Sequence, residues 1–372
     1  MSTQYIKENK LSSKLLYWLP SQYSFKKAAK IVDTLRLEEL SSEICTNVKQ
    51  VLNNNEINLT EAPLKYLNKI IKLQLLMGYQ DVNKSSGIGK KGDKVLLVGT
   101  GGHYPHRLLS YYFKRNGNKV IRFDHGGERP LFQDSHWGIN EFAFLDIFMT
   151  FGKGLKRRID QNICENNIPF VNNEKNSFEV GSIVSESLRN IYKKNFKSKG
   201  EEVKKVMVLM PGLLGNWLIP GDYPPDFVFL KAIWHTIKEL KRKNYYLILK
   251  KHPKTLRSKS LSVFDKFVDE VKDDYFSEIM EMADAYVFFY CGTAFCEALM
   301  SIKPIVYIHL PYRQIDLQTR SELEDIFCWV DYNEEDENFV ENDKMINYLK
   351  NINQDMKSRR DFVQENYLTS SN

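Results

Sequence analysis

Three short stretches of this chain combine side chains that can hold a phosphate, a sugar hydroxyl or a proton, and each follows an apolar run of strand length. The first, Lys251, His252, Pro253 and Lys254, comes after YYLILK. A histidine fixed by the proline behind it and flanked by cations suits an anionic group. Protonated, His252 can hydrogen-bond a phosphate and neutralise the charge that develops as a nucleotide leaves. The second, Cys291, Gly292 and Thr293, lies between AYVFFY and TAFCEAL. A small-residue turn opening a helix offers backbone N–H groups and a hydroxyl to a phosphate, and Glu297, on the first turns of that helix, can accept the two hydroxyls of a ribose. The third, His125, Gly126, Gly127, Glu128, Arg129 and Pro130, follows VIRFD, which ends in Asp124.

Two glycine loops accompany them. Pro211 to Trp217 (PGLLGNW) can bring its backbone to phosphates through Gly212 and Gly215. Gly99 to His106 (GTGGHYPH) matches GxGG but not the full GxGxxG spacing, so a dinucleotide oxidoreductase has little support. Each feature also has a structural reading: His125 and His252 as turn residues, Thr293 as an N-cap, Glu297 as a helix-dipole partner. Their common position after successive strand ends, where α/β sheets place ligands, favours a site.

The elements that must position these residues alternate. Residues 1–90 read as a helical N-terminal region, with apolar residues at helical spacing over Lys26 to Leu40 and Leu64 to Leu76, followed by a Gly/Lys/Ser linker at Lys84 to Asp93. Residues 91–200 open with a βαβ unit (KVLLVG, RLLSYYFKRNG, KVIRFD) and a strand at Ile147 to Phe151, and then read as polar and helical from about 160 to 200. Residues 201–345 repeat the alternation: VMVLM, a helix over Asp226 to Lys243, YYLILK, helices near Leu261 to Val271 and Phe276 to Met282, AYVFFY, a helix over Thr293 to Met300, and PIVYIHL. Residues 346–372 complete the closing helices that begin near Asn342, after an acidic loop at Glu334 to Glu341. The expected fold class is α/β, with two Rossmann-type doubly wound parallel sheets facing a cleft.

Composition agrees with a folded chain of two domains: 372 residues, 42% hydrophobic and 27% charged. The net charge of +6, from 53 Lys and Arg against 47 Asp and Glu, mildly favours anionic ligands. Basic clusters at Lys153 to Arg158 and Lys241 to Lys243 can serve as anion contacts or as solvated helix faces. Five cysteines form no CxxC pair, which indicates neither a disulfide framework nor a zinc site. With no long apolar run, a cytoplasmic protein is expected; Tyr17, Trp18 and the basic residues permit peripheral association with the inner membrane face. The basic residues are scattered and match no nucleic-acid-binding motif, so no nucleic-acid partner is expected.

Over roughly Val206 to Leu310, the KHP turn followed by ADAYVFFYCGTAFCEALMSIKPIVYI resembles the C-terminal half of bacterial surface-polysaccharide transferases of the GT-B type. Those include CDP-glycerol glycerophosphotransferases, Kdo and sialic acid transferases and capsule polymerases that use CMP-sugars. The resemblance implies that His252, Pro253, Thr293, Glu297, Lys303 and Pro304 bind the nucleotide, with Lys251, Gly292, Gly212 and Gly215 beside them. Cys291, Gly292 and Thr293 stand where many relatives have a pair of serines, which leaves the phosphate contacts open. The His125–Gly126 turn resembles the one whose histidine acts as a base toward the acceptor hydroxyl. His125 is then the general base, with Asp124 or Glu128 orienting or replacing it and Asp134 a further rival; Gly101, Gly102, His103 and His106 border the acceptor side.

The expected activity is transfer of a group from a nucleotide-activated donor, CMP- or CDP-linked rather than UDP-linked, to a hydroxyl of a glycan or lipid-linked acceptor. No cofactor is required in this reading: no DxD-like pair stands beside a strand end, although Asp273, Asp274 and Glu334 to Asp336 are acidic, and cations and helix ends would serve instead of a metal. A sugar-nucleotide epimerase of the same fold and a non-catalytic binding protein are the competing readings.

Overall fold

The computed structural model describes residues 34–54, 56–85, 94–101, 104–124, 126–131, 141–165, 178–195, 202–213, 224–252, 259–312, 315, 317–333, 342–351 and 357–369. By its contacts the chain divides into two units, one of residues 2–96 and 104–120, the other of residues 97–103 and 121–372.

In the first unit, helices α1 (Thr34–Asn54) and α2 (Glu61–Ser85) pack on each other, and α3 (Tyr104–Arg115) packs on α2. α1 ends in the asparagine run that begins at Asn53, poor helix-forming residues. The Tyr104 hydroxyl hydrogen-bonds Asp81 of α2, and burial, followed by that carboxylate, raises its pKa.

Strands β1 (Val95–Val98), β2 (Lys119–Phe123), β3 (Ile147–Phe151) and β4 (Glu179–Ile183) form a sheet in that order, with β2, β3 and β4 parallel. Helix α4 (Lys153–Glu165) follows β3 and α5 (Glu186–Asn195) follows β4. The β4 segment corrects the helical reading of residues 160–200. It pairs with β3 from Ile147↔Glu179 to Phe151↔Ile183, and none of its five residues is fully buried. A half-exposed strand pairing on one side carries little apolar signal, and tertiary pairing decides it.

The second sheet holds β5 (Lys205–Leu209), β6 (Tyr246–Lys250), β7 (Glu270–Lys272), β8 (Ala285–Phe288), β9 (Ile305–His309) and β10 (Cys328–Asp331). The order is β10-β9-β8-β5-β6-β7, parallel throughout. Strand periodicity sends alternate residues to opposite faces. Val206, Val208, Leu247, Leu249, Val287 and Val306 join one core with α6 (Asp226–Arg242). Met207, Leu209, Ile248, Tyr286, Phe288 and Tyr307 join the other with α7 (Phe276–Ile279) and α8 (Thr293–Leu299). A sheet covered on both faces requires near-continuous apolar strands, which is why β5, β6, β8 and β9 are legible as such. The helix expected over Leu261 to Val271 is instead a 3-10 turn, Lys259–Phe267, followed by β7. That three-residue edge strand is too short and too exposed to announce itself. β10 is likewise an element beyond the sequence reading. The chain is thus α/β, with helices before two sheets: a four-stranded one in simple order, and a six-stranded parallel one whose order reverses, so that among the described residues the doubly wound pattern expected of both is seen only in the second.

Helices α9 (Leu317–Glu324), α10 (Asn342–Lys350) and α11 (Lys357–Val363) complete the chain, with a π-helical turn at Gln364–Leu368. This end is fastened in two ways. Gly152, at φ +48°, stands where a Cβ would come within 2.3 Å of the Asn366 backbone, so only glycine admits the turn against the start of α4. The buried guanidinium of Arg359 donates to the carbonyls of Ile326 (2.8 and 2.6 Å), Lys303 (2.7 Å) and Ser301 (3.3 Å). It thereby ties α11 to the connections before β9 and β10; burial lowers its pKa.

The basic clusters are largely committed to carboxylates. Lys156 pairs with Asp160 at 2.6 Å, Arg157 with Glu365, and Arg158 with Glu322 and, at 2.9 Å, Thr319. Lys241 pairs with Asp269 at 2.5 Å and Arg242 with Glu239 at 2.6 Å. Among the described residues no helix is long and apolar enough to cross a membrane.

Arg359→Met removes every bond to three buried carbonyls, and Arg359→Lys cannot reproduce the fork. We expect each to lower unfolding stability by about 3 kcal/mol or more, read as a fall in the urea midpoint at unchanged slope. A loss below about 1 kcal/mol would mean that water satisfies these carbonyls.

Candidate functional site

The strand order of the second sheet fixes where a ligand can enter. From β5 the chain moves outward through β6 and β7, then returns to the other side of β5 and moves outward through β8, β9 and β10. The direction reverses between β5 and β8, and in an open parallel sheet the connections leaving two such strands part at their carboxyl ends and leave a crevice. The first sheet shows no reversal among its described strands.

Three connections meet at that edge: Met210, Pro211 and Gly212 after β5, Lys251 and His252 after β6, and Phe289 to Gly292 after β8. The His252 ring lies over Gly212, where a Cβ would stand 3.3 Å from both its Cε1 and its Nδ1. The phosphate-loop candidate and the histidine candidate are therefore one feature. Lys251 turns aside: its ammonium pairs with Asp265 at 2.7 Å.

Gly292 caps α8 with extended backbone, and its carbonyl accepts the N–H groups of Phe295 (2.9 Å) and Cys296 (3.1 Å). Thr293 is the first helical residue and exposed, so the cap position belongs to Gly292 and not to it. Cys291 and Cys296 are buried. Glu297 is partly buried, and no described residue donates a hydrogen bond to its carboxylate. Desolvation raises its pKa from the usual 4.5 to about 7, while the charge of Lys250 opposes the rise. Lys250 ends β6, is 6% exposed, and donates from Nζ to the Lys251 carbonyl at 2.7 Å.

Of the candidates after β2, Asp124 is consumed by its own turn. One oxygen accepts the Gly126 and Gly127 N–H groups at 3.4 and 3.3 Å, and the other accepts the Thr150 hydroxyl at 2.9 Å. With both oxygens engaged in shaping the loop, it is placed to orient the turn rather than to take a proton. Glu128 folds back over Gly126, whose missing Cβ would stand 1.9 Å from its Oε2. Gly127, at φ +75°, passes Phe151 so closely that a Cβ would meet its ring at 2.7 Å.

This turn and α8 are joined by Tyr367. Its hydroxyl lies 3.2 Å from the Gly127 carbonyl, to which it donates, and 3.5 Å from Cys296 Sγ. Since the phenol has one proton, the thiol is the donor in the second contact, giving a chain from Cys296 through Tyr367 to Gly127. Burial raises the pKa of both groups well above normal, Glu128 adding to the effect, so the chain is neutral. α8 thus turns Cys296 toward the Asp124–Glu128 turn and the next residue, Glu297, toward Lys250.

His125, Asp134, Gly102, His103, Gly215, Pro253 and Lys254 lie outside the described residues. His106 is half-buried on the first turn of α3, where its carbonyl accepts the Ser110 hydroxyl at 2.8 Å. The turn after β1 is held by Glu141, whose carboxylate accepts the Thr100 hydroxyl at 2.8 Å and the Gly101 N–H at 2.6 Å. Lys303 and Pro304 depart from the nucleotide-binding place that the resemblance gives them. They precede β9, at the end of the sheet opposite the crevice, and the Lys303 ammonium binds the Met280 carbonyl at 3.0 Å and Glu281 at 3.1 Å. Among the described residues no three His, Cys, Asp or Glu gather as a metal site. Sequence reasoning misses Lys250, Glu141 and Tyr367. The strand-final position of Lys250 was the available signal; nothing local marks the other two.

No family model matches the sequence, and neither does any curated protein. Among solved structures, the UDP-GlcNAc 2-epimerase of Methanocaldococcus jannaschii, in complex with UDP-GlcNAc and UDP, is similar at 12% identity and TM-score 0.44, over 78% of this chain and 80% of that one. S. aureus MnaA, with UDP, is similar at 11% and 0.41, over 88% and 80%. MurG of Acinetobacter baumannii is similar at 11% and 0.34, over 72% and 94%. No residue assignment follows from likeness at this level.

Because the folded state holds the Glu297 proton more tightly than the unfolded chain, stability is greatest below the usual 4.5 and falls until the pH passes about 7. Glu297→Gln removes the ionisation. We expect it to match wild type near pH 4.5 and to exceed it at pH 8 by on the order of 2 kcal/mol, after allowance for partial exposure. Equal thermal midpoints at both pH values would show that the carboxylate is solvated.

Proposed function

We propose that this chain is a transferase that takes a group from a nucleotide-activated donor, CMP- or CDP-linked, and passes it to a hydroxyl of a surface glycan or glycoconjugate. The observation that carries the reading is Glu297: a desolvated carboxylate beside the switch-point crevice, to which no described residue donates a hydrogen bond. A vicinal pair of ribose hydroxyls supplies what such a group lacks. In this reading His252, lying over Gly212, takes the donor phosphate and, as imidazolium, stabilises the charge on the departing nucleotide. Thr293 lends its hydroxyl, and Lys251, held by Asp265, adds positive charge nearby. The acceptor hydroxyl loses its proton to a base on the turn after β2. Asp124 orients that turn, and Glu128 or His125 receives the proton. The reaction needs no covalent enzyme intermediate, and cationic side chains answer the phosphate charge.

The test is calorimetric titration of the full chain with CMP, CDP and UDP and with their 2′-deoxy analogues. We expect a pyrimidine ribonucleotide to bind, with the cytidine series tighter. The ribose form should bind about 10-fold more tightly than the deoxy form, the worth of one charge-assisted hydrogen bond. Glu297→Ala should weaken the ribonucleotide by about 10- to 100-fold and abolish the ribose preference, and His252→Ala should weaken CDP more than cytidine. If no nucleotide binds, or if binding ignores both substitutions, the donor site is misassigned. A nucleotide-sugar rearranged without any acceptor would make the chain an epimerase.

A further inference from the structure

The connections that leave β5, β8 and β9 each carry an apolar side chain that the core takes in only by half. Leu213, Tyr290 and Tyr312 are half-buried, and all three pack against the core on the α6 side of the sheet. In sheet order these connections are neighbours, with that of β8 in the middle, at the reversal. Tyr290 owes its place to a break in alternation. Tyr286 and Phe288 face the α8 side, and strict alternation would send Tyr290 after them. Instead Phe289 and Tyr290 both turn to the α6 side, and Cys291 returns to the other. The Tyr290 ring then lies beside the cap of α8: a Cβ at Gly292 would stand 3.6 Å from its Cδ1 and 3.7 Å from its Cε1. Chain neighbours apart, no other described residue comes within 4 Å of that point. The Gly292 backbone is extended, at φ −145°, so conformation does not demand glycine there. What the missing side chain leaves is room against the ring edge, at the crevice.

We propose that Tyr290 is the platform on which the nucleobase of the donor stacks, with Leu213 and Tyr312 flanking it along the sheet edge. The inference rests on the reading of the crevice as a nucleotide site and adds the part of the nucleotide that this reading leaves unplaced: His252 takes the phosphate, Glu297 the ribose, and no residue the base. A pyrimidine is flat and largely apolar on its faces, so it is the part of the ligand that gains from leaving water for an aromatic surface. Half-burial suits Tyr290 to that task. The core already holds the ring from one side, so little side-chain freedom is lost when a base covers the other. Stacking is indifferent to which base is offered, because each has a π-face. Tyr290 therefore contributes affinity for a base, while the choice between cytosine and uracil falls to polar contacts.

The experiment is calorimetric titration of the full chain with CMP, CDP and UDP and with ribose 5-phosphate, which keeps the ribose and phosphate and lacks the base. Wild type, Tyr290→Phe, Tyr290→Leu and Tyr290→Ala are compared. A base stacked on an aromatic ring is worth about 5- to 100-fold in affinity. We expect wild type to bind CMP more tightly than ribose 5-phosphate by a factor in that range, and the cytosine absorbance to fall on binding, the mark of stacked rings. Tyr290→Phe should keep both properties. Tyr290→Ala should weaken the three nucleotides alike by that factor and bind ribose 5-phosphate as wild type does. Tyr290→Leu keeps an apolar side chain on the core and serves where the alanine variant fails to fold; it should lose the absorbance change and part of the base's contribution. Nucleotide affinities unmoved in Tyr290→Ala, or a loss shared equally with ribose 5-phosphate, overturn the platform and leave the ribose and phosphate site standing. If no nucleotide binds wild type, the donor site itself is misassigned and both readings fall.

Discussion

Covering both faces of the six-stranded parallel sheet confines polar chemistry to the ends of its strands. Each face is sealed by its own core, so a charged side chain on an interior strand must stand at a strand terminus or be neutralised. The sequence obeys this closely: β5 and β8 carry no charge after their first residues, and β6 carries one only at Lys250. The reversal of strand order between β5 and β8 then selects one crevice among the possible ones. His252, Gly212, Gly292 and Glu297 reach that edge from three connections that are far apart in the chain.

A second constraint falls on α8. It has seven residues and sits over the aromatic layer of Tyr286, Phe288 and Tyr307, against which Phe295 packs edge-on to Phe288 at 5.3 Å between centroids. That anchor fixes the helix rotation. Cys296 then faces Tyr367 and the turn after β2, and Glu297, about 100° further round, faces the end of β6. Tyr367 can reach Gly127 only because the C-terminal turn is seated on Gly152 and α11 is held by Arg359. The buried arginine donates to peptide carbonyls and fastens the connections on which that placement depends. Fastening the chain end and placing the acidic turn beside α8 are one structural problem with one solution.

What could be read from the sequence follows from the same physics. β5, β6, β8 and β9 are apolar runs because both their faces are buried, and the histidine and glycine turns follow from where those runs stop. β4 and β7 carry no such mark, since each pairs with a neighbour on one side and leaves its residues partly exposed. The positions of Gly212, His252, Thr293 and Glu297 at one sheet edge were legible from the alternation. The state of Glu297 was not, because it depends on burial and on the approach of Lys250 from two strands away. Asp124 illustrates the reverse: its chemistry suggested a proton acceptor, while the geometry spends both oxygens on its own turn and on Thr150. The Tyr367–Gly127 contact spans 240 residues and leaves no local trace. Lys303 shows the limit of motif matching: its place before β9 follows from the sequence, but its engagement with the Met280 carbonyl and Glu281 does not.

Glu297 stands partly buried at the sheet edge, where desolvation raises its pKa, and that placement has a physical use. Its carboxylate receives no hydrogen bond from the described residues, so part of the cost of its desolvation stays uncompensated. The folded state bears that deficit because the two cores and the Arg359 fastening supply stability elsewhere. The same low local polarity that makes the deficit costly would strengthen any hydroxyl that arrives to fill it, since a hydrogen bond to a charged acceptor gains as water is excluded. A fully satisfied carboxylate would be more stable and would have nothing left to offer a ribose. On the proposed reading, partial burial at the sheet edge turns desolvation, which elsewhere only holds the fold together, into affinity for a polar ligand.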